Sequence, residues 1–381
     1  MRLSKARSLV VVAVAGVVAM TLAACGSAAD DPTAQNPTTE STTQQSSSAA
    51  ETSDTAAASA ESSAAETSAS AAPAENPKGD LTVYTSQPDG DIAEMVTAFN
   101  KKYPDVTVNV FRSGTEEVLS KIRAEKQAGA VQADVVFIAD ALSMEALKSE
   151  SLLAPYTSPE AAGIDPQYID PDGYYAGTKV IATGIAINTT AVTTKPTSWS
   201  VLTSPEAKGK AEMPSPLYSG AAAYNVSVLA ADPAFGWDFW QGVADNGMTV
   251  TKGNGAVLKD VASGDKSYGM VVDFIVARAA AEGSPVEFLY PDEGVMAITE
   301  PIGLSADAHN PVAAKAFIDF VLSEAGQEVE SGLGYVPIRA EAPVPNGLKG
   351  VADLKLISGD LDQLSKSTEA DKTKFADMFH Q

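Results

Sequence analysis

Three short turns carry the residues best suited to chemistry in this chain. The turns are Ser86 alone, Ser113-Gly114-Thr115 and Ser219-Gly220-Ala221, and each one precedes a predicted helix. The first N–H groups of a helix lack intrahelical acceptors and lie at the positive end of its dipole. Glycine allows close approach to the backbone, and hydroxyls donate to oxygen atoms. The three turns therefore predict an anion-binding site at helix starts.

Ordinary helix capping explains the same residues without any ligand. Ser113, followed by Glu116 three residues later, matches the capping-box pattern, and Ser86 is placed to cap the helix after it. Residue spacing alone therefore leaves both interpretations open.

Three carboxylates follow predicted strands or turns and are candidate acceptors. Asp140 follows a buried strand, Asp273 follows the strand at 268–272, and Glu293 lies in Tyr290-Pro-Asp-Glu-Gly294. A carboxylate accepts charge-assisted hydrogen bonds from hydroxyl or ammonium groups of an organic ligand. Helix capping by Asp140 and a solvated turn at Glu293 are the alternatives.

Motifs for catalysis or for a resident metal are missing from the sequence. It contains no Gly-x-Ser-x-Gly, no His-Glu-x-x-His and no glycine-rich phosphate loop. The histidines are His309 and His380, and we expect both to be solvent-exposed. Asp140, Asp273 and a bound anion could form an oxygen-only shell for a hard metal. We nevertheless predict a binding protein with no catalytic residues, no cofactor and no metal site.

Alternating strands and helices must position these groups. Apolar runs and helical spacing between Leu81 and Ile138 predict the order β-α-β-α-β. A second α/β lobe is predicted from strands at 181–187, 268–272 and 286–289 with helices between them. An extended stretch at 295–304, a helix after Asn310-Pro311 and a helical tail from Asp353 follow. In such folds ligands bind beyond the carboxyl ends of the strands.

The N-terminus predicts export and lipid attachment. Arg2, Lys5 and Arg7 precede an apolar run that ends in Leu22-Ala-Ala-Cys25. The run is shorter than the roughly 20 residues of a spanning helix, which favours a signal peptide over residues 1–24. An ordinary secretory peptide or an uncleaved anchor is the alternative. Cys25 is the only cysteine, so the mature body forms no internal disulfide.

A long segment of biased composition follows Cys25. Residues 25–77 consist almost entirely of Ala, Ser, Thr, Glu, Asp, Gln and Pro, which predicts a disordered linker. The whole chain has a net charge of −23, which argues against nucleic acid and anionic lipid surfaces as partners of the body.

Three motifs together resemble a known family. Their sequences and their order along the chain resemble motifs of the extracellular solute-binding proteins of ABC importers. The motifs are Leu81-Thr-Val-Tyr-Thr-Ser86, Ala133-Asp-Val-Val-Phe137 and Gly334-Tyr-Val-Pro337. The ferric-ion, sugar-phosphate and aminoethylphosphonate-binding branch is the most similar. The resemblance implies a two-lobed, type 2 periplasmic-binding-protein fold with two hinge crossovers, near 178–184 and 298–302. Residues 78–180 and 301–381 would form lobe 1, and residues 181–300 lobe 2.

The resemblance also implies the ligand class and the partners. Corresponding turns in the family hold phosphate or a synergistic anion, which favours a small phosphate- or phosphonate-bearing solute. Ferric-binding relatives carry two adjacent tyrosines after the strand matching 268–272, whereas this chain has Asp273-Phe274. This difference disfavours ferric iron, which remains the alternative ligand. A secreted enzyme or a partner of a membrane sensor is the alternative from another functional class. We expect a monomer that is lipid-anchored at Cys25 on the extracytoplasmic face of the cell membrane and delivers solute to an ABC permease.

Overall fold

A computed structural model describes residues 76–381 of the chain. The predicted signal peptide, Cys25 and nearly all of the predicted linker lie outside the described residues. In the described part, no helix combines the length and apolar character that crossing a membrane requires.

Strands and helices alternate along the described residues. In chain order the strands are β1 (Gly79–Thr85), β2 (Val106–Arg112), β3 (Val135–Phe137), β4 (Leu153–Ala154), β5 (Tyr175–Ala176), β6 (Lys179–Asn188), β7 (Ala211–Pro214), β8 (Thr249–Thr251), β9 (Tyr268–Val272), β10 (Val286–Leu289), β11 (Met296–Ile298), β12 (Ile302–Ser305) and β13 (Val336–Pro337). The helices are α1 (Asp89–Lys102), α2 (Thr115–Ala128), α3 (Ala141–Ser149), α4 (Gly220–Ala231), α5 (Gly236–Asp245), α6 (Asn254–Ser263), α7 (Asp273–Ala281), α8 (Pro311–Leu322), α9 (Glu324–Gly332) and α10 (Leu361–Phe379).

The strands form two mixed sheets, each the centre of a lobe. The first sheet has the order β2-β1-β3-β12-β4, with β5 beside β12. In this sheet β1 pairs in parallel with β2 and β3, as the β-α-β-α-β pattern predicts, and β12 joins antiparallel. The second sheet has the order β10-β6-β9-β7-β8, with β11 and β13 also on β6. We call the elements around these sheets the first and second lobes.

Two neighbouring chain segments connect the lobes. β6 leaves the first lobe at Lys179 and pairs antiparallel with β11, with Ile181 opposite Ile298. The predicted extended stretch at 295–304 is broken at Glu300, whose φ of 39° is unusual for a residue with a side chain. The break separates β11 in the second lobe from β12 in the first. The two crossovers therefore lie side by side.

The C-terminal segment lies on the second lobe, whereas the sequence analysis assigns residues 301–381 to lobe 1. Val295 exchanges backbone hydrogen bonds of 2.9 Å with Lys355 and Ile357. In α10 the ring of Phe375 packs edge-on against Trp240, with 5.3 Å between centroids. The apolar partners of α10 belong mainly to the second lobe, which explains the difference.

Candidate functional site

A cavity of about 450 Å³ lies between the lobes at the carboxyl ends of their strands. Its lining residues follow β1, β2 and β3 in the first lobe and β7, β8 and β9 in the second, with the crossovers at its base. This is where α/β sheets bind ligands. The residues that line it are Ser86, Pro88, Arg112, Gly114, Thr115, Ala139, Ile181, Tyr218, Ser219, Gly220, Ala221, Lys252, Gly253, Asn254, Gly255, Ala256, Val272, Phe274, Ile275, Arg278, Ile298 and Glu300.

The starts of α2 and α4 touch across the cavity. The N–H of Glu116 in α2 donates to the carbonyl oxygen of Tyr218 at 3.4 Å. A Cβ atom added to Gly114 would lie 2.5 Å from that same oxygen. A Cβ atom added to Gly220 would lie 2.2 Å from Oδ2 of Asp140 and 2.9 Å from Oγ1 of Thr115. A side chain at Gly114 would collide with the backbone and ring of Tyr218, and one at Gly220 would collide with the side chains of Asp140 and Thr115, so both positions require glycine.

Two of the helix starts that line the cavity have no side-chain cap. Gly114 occupies the N-cap position of α2 and Gly253 that of α6, and neither has a side chain to accept from the first turn. Ser219 caps α4 through a hydrogen bond from the N–H of Ala222 at 3.3 Å. The N–H groups of Glu116 and Ala256 already have backbone acceptors, and the other first-turn donors of α2 and α6 are available to an oxyanion.

Three cationic side chains also line the cavity. Arg112 donates from Nε to the carbonyl oxygen of Gln87 at 2.7 Å, which fixes its guanidinium beside Ser86. Lys252 lies 3.3 Å from Glu117 and 4.5 Å above the ring centroid of Tyr218, and its side chain is 67% exposed. Arg278 is the third. Among the described lining residues Glu300 is the one carboxylate, so the cavity is basic within a chain of net charge −23.

Arg278 also links the two lobes. Its guanidinium makes two hydrogen bonds, of 3.0 and 2.9 Å, to Asp91 in α1, and Tyr335 donates its hydroxyl to the same carboxylate. The guanidinium carbon lies 4.7 Å from the ring centroid of Phe274 and 4.9 Å from that of Tyr335. Paired Arg–carboxylate contacts of this kind are geometrically specific. The contact joins a helix of the first lobe to a helix of the second.

A buried lysine fixes the crossovers below the cavity. Lys179 in β6 is 0% exposed, and its Nζ lies 2.8 Å from Glu300 and 3.0 Å from Glu330 in α9. The ammonium also lies 4.2 Å from the ring centroid of Tyr335. Burial raises the pKa of Glu330 to about 7 despite the attraction of Lys179. The three charged groups hold both crossovers to the first lobe.

The structure brings six of the predicted site residues together on the cavity wall. They are Ser86, Gly114, Thr115, Ser219, Gly220 and Ala221. The hydroxyl oxygen of Ser86 is buried and has no hydrogen-bond partner within the described residues. Ser86 does not cap α1, since that helix begins at Asp89 with Pro88 at its N-cap position. A buried hydroxyl without a partner is costly, which is consistent with a group that meets a ligand or water.

Ser113 lies outside the cavity and does not form the expected capping box. α2 begins at Thr115 with Gly114 at the N-cap position, and the Ser113 hydroxyl donates to Glu117 instead. The backbone N–H of Ser113 donates to the carbonyl oxygen of Thr85 at 3.1 Å, which holds the residue against β1.

The three predicted carboxylate acceptors also lie outside the cavity lining. Asp140 caps α3, accepting from the N–H and the hydroxyl of Ser143 at 2.8 Å each. Asp273 is 1% exposed and accepts from the N–H of Phe274 at 2.8 Å, and burial raises its pKa to about 7. Glu293 accepts from the hydroxyl of Ser198. Each carboxylate satisfies a nearby donor within its own lobe.

The sequence analysis missed the cations. Arg112 ends β2 directly before the predicted turn, so its position was readable from the strand pattern. Lys252 follows β8, a strand of three residues that shows no clear alternation. Arg278 reaches the cavity from within α7, and only its pairing with Asp91 reveals its orientation.

Comparisons with known proteins agree with this architecture. A family model for bacterial extracellular solute-binding proteins matches residues 94–353. An uncharacterized protein of Haemophilus influenzae is 29% identical over 268 residues, covering 67% of this chain and 76% of that protein. The Fe(3+)-binding periplasmic protein of Serratia marcescens is 24% identical over 259 residues, covering 65% and 75%.

A solved structure shows the same fold. The periplasmic binding protein AfuA from Actinobacillus pleuropneumoniae, with exogenous fructose-6-phosphate bound, matches with a TM-score of 0.74 and 25% identity. The match covers 80% of this chain and 99% of that one. The predicted two-lobed α/β fold of type 2 periplasmic binding proteins is confirmed.

Proposed function

We propose that this chain, which belongs to the bacterial extracellular solute-binding proteins and serves an ABC importer, captures a small organic solute bearing a phosphate or phosphonate group. The observation that carries the proposal is the basic cavity between the lobes. Arg112, Lys252 and Arg278 line it together with the uncapped starts of α2 and α6. The solute would pass to a membrane permease without any covalent chemistry.

The energetics favour an anion over a neutral solute in this cavity. A helix start stabilises a nearby negative charge by about 0.3–1 kcal/mol at exposed sites and more where it is partly buried. Hydrogen bonds to charged groups contribute roughly 1.5–3 kcal/mol each. Two uncapped starts and the ammonium of Lys252 together favour a phosphoryl group over a neutral group by roughly 2–5 kcal/mol.

Calorimetry on a matched pair of lysine variants tests the proposal. Lys252→Ala removes a cation from the cavity wall, and we expect about tenfold weaker binding of organophosphates because a charge-assisted contact is lost. Lys195→Ala is the control, since Lys195 forms a comparable exposed ion pair with Glu287 outside the cavity lining. Equal affinity in the two variants, or no binding of phosphate or phosphonate compounds by the parent protein, would contradict the proposal.

Ferric iron is the second candidate because a relative is an Fe(3+)-binding protein. Ferric iron prefers hard anionic oxygen ligands, and β9 is followed here by Asp273 and Phe274 rather than by paired tyrosines. In the described part of the chain, no group of three or more His, Cys, Asp or Glu side chains is arranged to hold a metal. A visible absorption band on ferric addition, without organophosphate binding, would favour iron instead.

We also propose that the protein acts from the outer face of the cell membrane, tethered through Cys25. The lipoprotein signal lies outside the described residues, so this proposal rests on the sequence. Two acyl chains give stable anchoring, whereas one chain gives only marginal binding. Cys25→Ser should move the protein from the membrane fraction to the soluble fraction, with Ser27→Ala as the control. Detection of an unacylated mature N-terminus by mass spectrometry would refute the tether.

A further inference from the structure

The base of the cavity is apolar. One contiguous hydrophobic cluster contains Ile181, Val272, Phe274 and Ile298, and Ile275 packs against it. All five line the cavity. They come from the crossover strands β6 and β11 and from the junction of β9 with α7. We call these five residues the apolar floor.

Most polar groups of the lining lie at the helix starts, and Arg278, which stacks on Phe274 of the floor, is already paired with Asp91. Asn254 at the start of α6 already accepts from the N–H of Val272 at 3.4 Å. Glu300 adjoins the floor, but it is 4% exposed and its carboxylate forms the ion pair with Lys179. The acceptors expected for hydroxyl groups, Asp273 and Glu293, lie outside the cavity. Few hydrogen-bond partners therefore remain for a ligand body that rests on the floor.

These observations distinguish between two kinds of phosphorylated solute. A polyhydroxylated body would exchange water for apolar side chains, and each hydroxyl left without a partner weakens binding. An apolar body would instead gain from burial against the floor. The cavity volume of about 450 Å³ lies within the usual range for small-molecule sites.

We propose that the solute joins its phosphoryl group to an apolar organic body, aromatic or aliphatic, rather than to a sugar. The helix starts and cations bind the phosphoryl group, and the apolar floor binds the body. This inference rests on the proposed function, because it assigns the second half of the same site.

Calorimetry on the protein with three probes tests the inference. Inorganic phosphate measures the anion subsite alone, phenyl phosphate adds an apolar body, and fructose 6-phosphate adds a hydroxylated one. We expect phenyl phosphate to bind at least about tenfold more tightly than fructose 6-phosphate. Burial of the phenyl ring against the apolar floor is favourable, whereas the sugar hydroxyls would lose their hydrogen bonds to water. Phenyl phosphate should also bind more tightly than inorganic phosphate.

A floor variant links the preference to named residues. Ile275 is partly exposed, so Ile275→Asn places an amide on the floor at modest risk to folding. We expect this variant to lose more affinity for phenyl phosphate than for inorganic phosphate. Ile169→Asn is the matched control, since Ile169 is also partly exposed but lies outside this cavity. The control should leave the affinities for both probes unchanged.

The possible results distinguish a failure of the apolar-body inference from a failure of the proposed function. Tighter binding of fructose 6-phosphate than of phenyl phosphate would overturn the apolar-body inference and leave anion capture intact. An equal loss for both probes in Ile275→Asn would also overturn it. Absence of binding for all three probes would overturn the proposed function, and the inference with it.

Discussion

Gly220 controls how closely the two helix starts approach each other. A methyl group at this position would overlap Oδ2 of Asp140 and crowd Oγ1 of Thr115, both in the first lobe. The clash acts between lobes, so each lobe should still fold.

Gly220→Ala is therefore expected to weaken anion binding by about tenfold or more, because overpacking of this size costs roughly 1–3 kcal/mol. Calorimetry with a phosphate ester measures the effect. Gly332→Ala in α9 is the control, since a Cβ atom there meets nothing within 4 Å. Unchanged affinity in Gly220→Ala would show that the contact between helix starts is dispensable.

Asp273 predicts a pH dependence of stability. Burial raises its pKa from 3.8 to about 7, so the folded protein retains a proton that the unfolded chain has lost between these values. The contribution of this group is most favourable below pH 3.8 and declines as the pH rises through 7. Asp273→Asn removes the titration and should gain up to about 4 kcal/mol of stability relative to the parent protein between pH 4 and pH 8. Urea unfolding at both pH values measures this, with the exposed Asp105→Asn as the control. A pH-independent difference would show that the carboxyl group is already ionised at low pH.

At the same scale, part of the cavity wall was predictable from the sequence. Gly114, Thr115 and the turn Ser219-Gly220-Ala221 line the cavity, because a small residue before a helix that follows a strand lies at the carboxyl edge of the sheet. Asp140, Asp273 and Glu293 do not line the cavity, because a carboxylate after a strand or in a turn accepts from local donors as readily as from a ligand. Arg278 was missed because its direction depends on Asp91, which lies far away in the sequence.

At the scale of elements, α10 packs against both lobes. Its apolar residues contact the second lobe, and its Lys372 donates to Glu116 in α2 of the first lobe at 2.8 Å. The side chains of Lys372 and Glu116 are 7% and 15% exposed. Burial raises the pKa of Glu116, and the ammonium of Lys372 opposes this shift at the start of α2.

Lys372→Met should destabilise the protein by about 3 kcal/mol, because it leaves a buried carboxylate without its partner. Urea unfolding measures the change, and Lys366→Met on the exposed face of the same helix is the control. Adding Glu116→Gln should recover much of the loss, since the uncompensated charge is then removed. If Lys372→Met and Lys366→Met have equal effects, the ion pair does not support α10.

The elements themselves were mostly predictable. β6, β9 and α6 have apolar runs or helical spacing that local chemistry alone produces. β7 and β8 were not predicted, because the four residues of β7 include Glu212 and Pro214 and the three of β8 include two threonines. Neighbouring strands supply the hydrogen bonds that such short segments require.

For the whole molecule, the contact of Asp91 with Arg278 is expected to hold the lobes together. Asp91→Asn breaks a paired ionic contact between α1 and α7, which should shift the solution ensemble towards more open forms. Small-angle scattering of the ligand-free protein should then show a larger radius of gyration. The exposed Asp89→Asn on the same helix is the control. An identical scattering curve for Asp91→Asn would show that other contacts keep the lobes together.

Lys179, Glu300 and Glu330 form one charged cluster at the crossovers that join the lobes. Glu300 and Glu330 approach the same ammonium from a crossover and from α9, and all three side chains are buried. A large translation of one lobe would leave a buried charged group without its ion-pair partner. We therefore expect the lobes to open by rotation about the crossovers with this ion cluster intact, so that the mouth of the cavity changes shape more than its base.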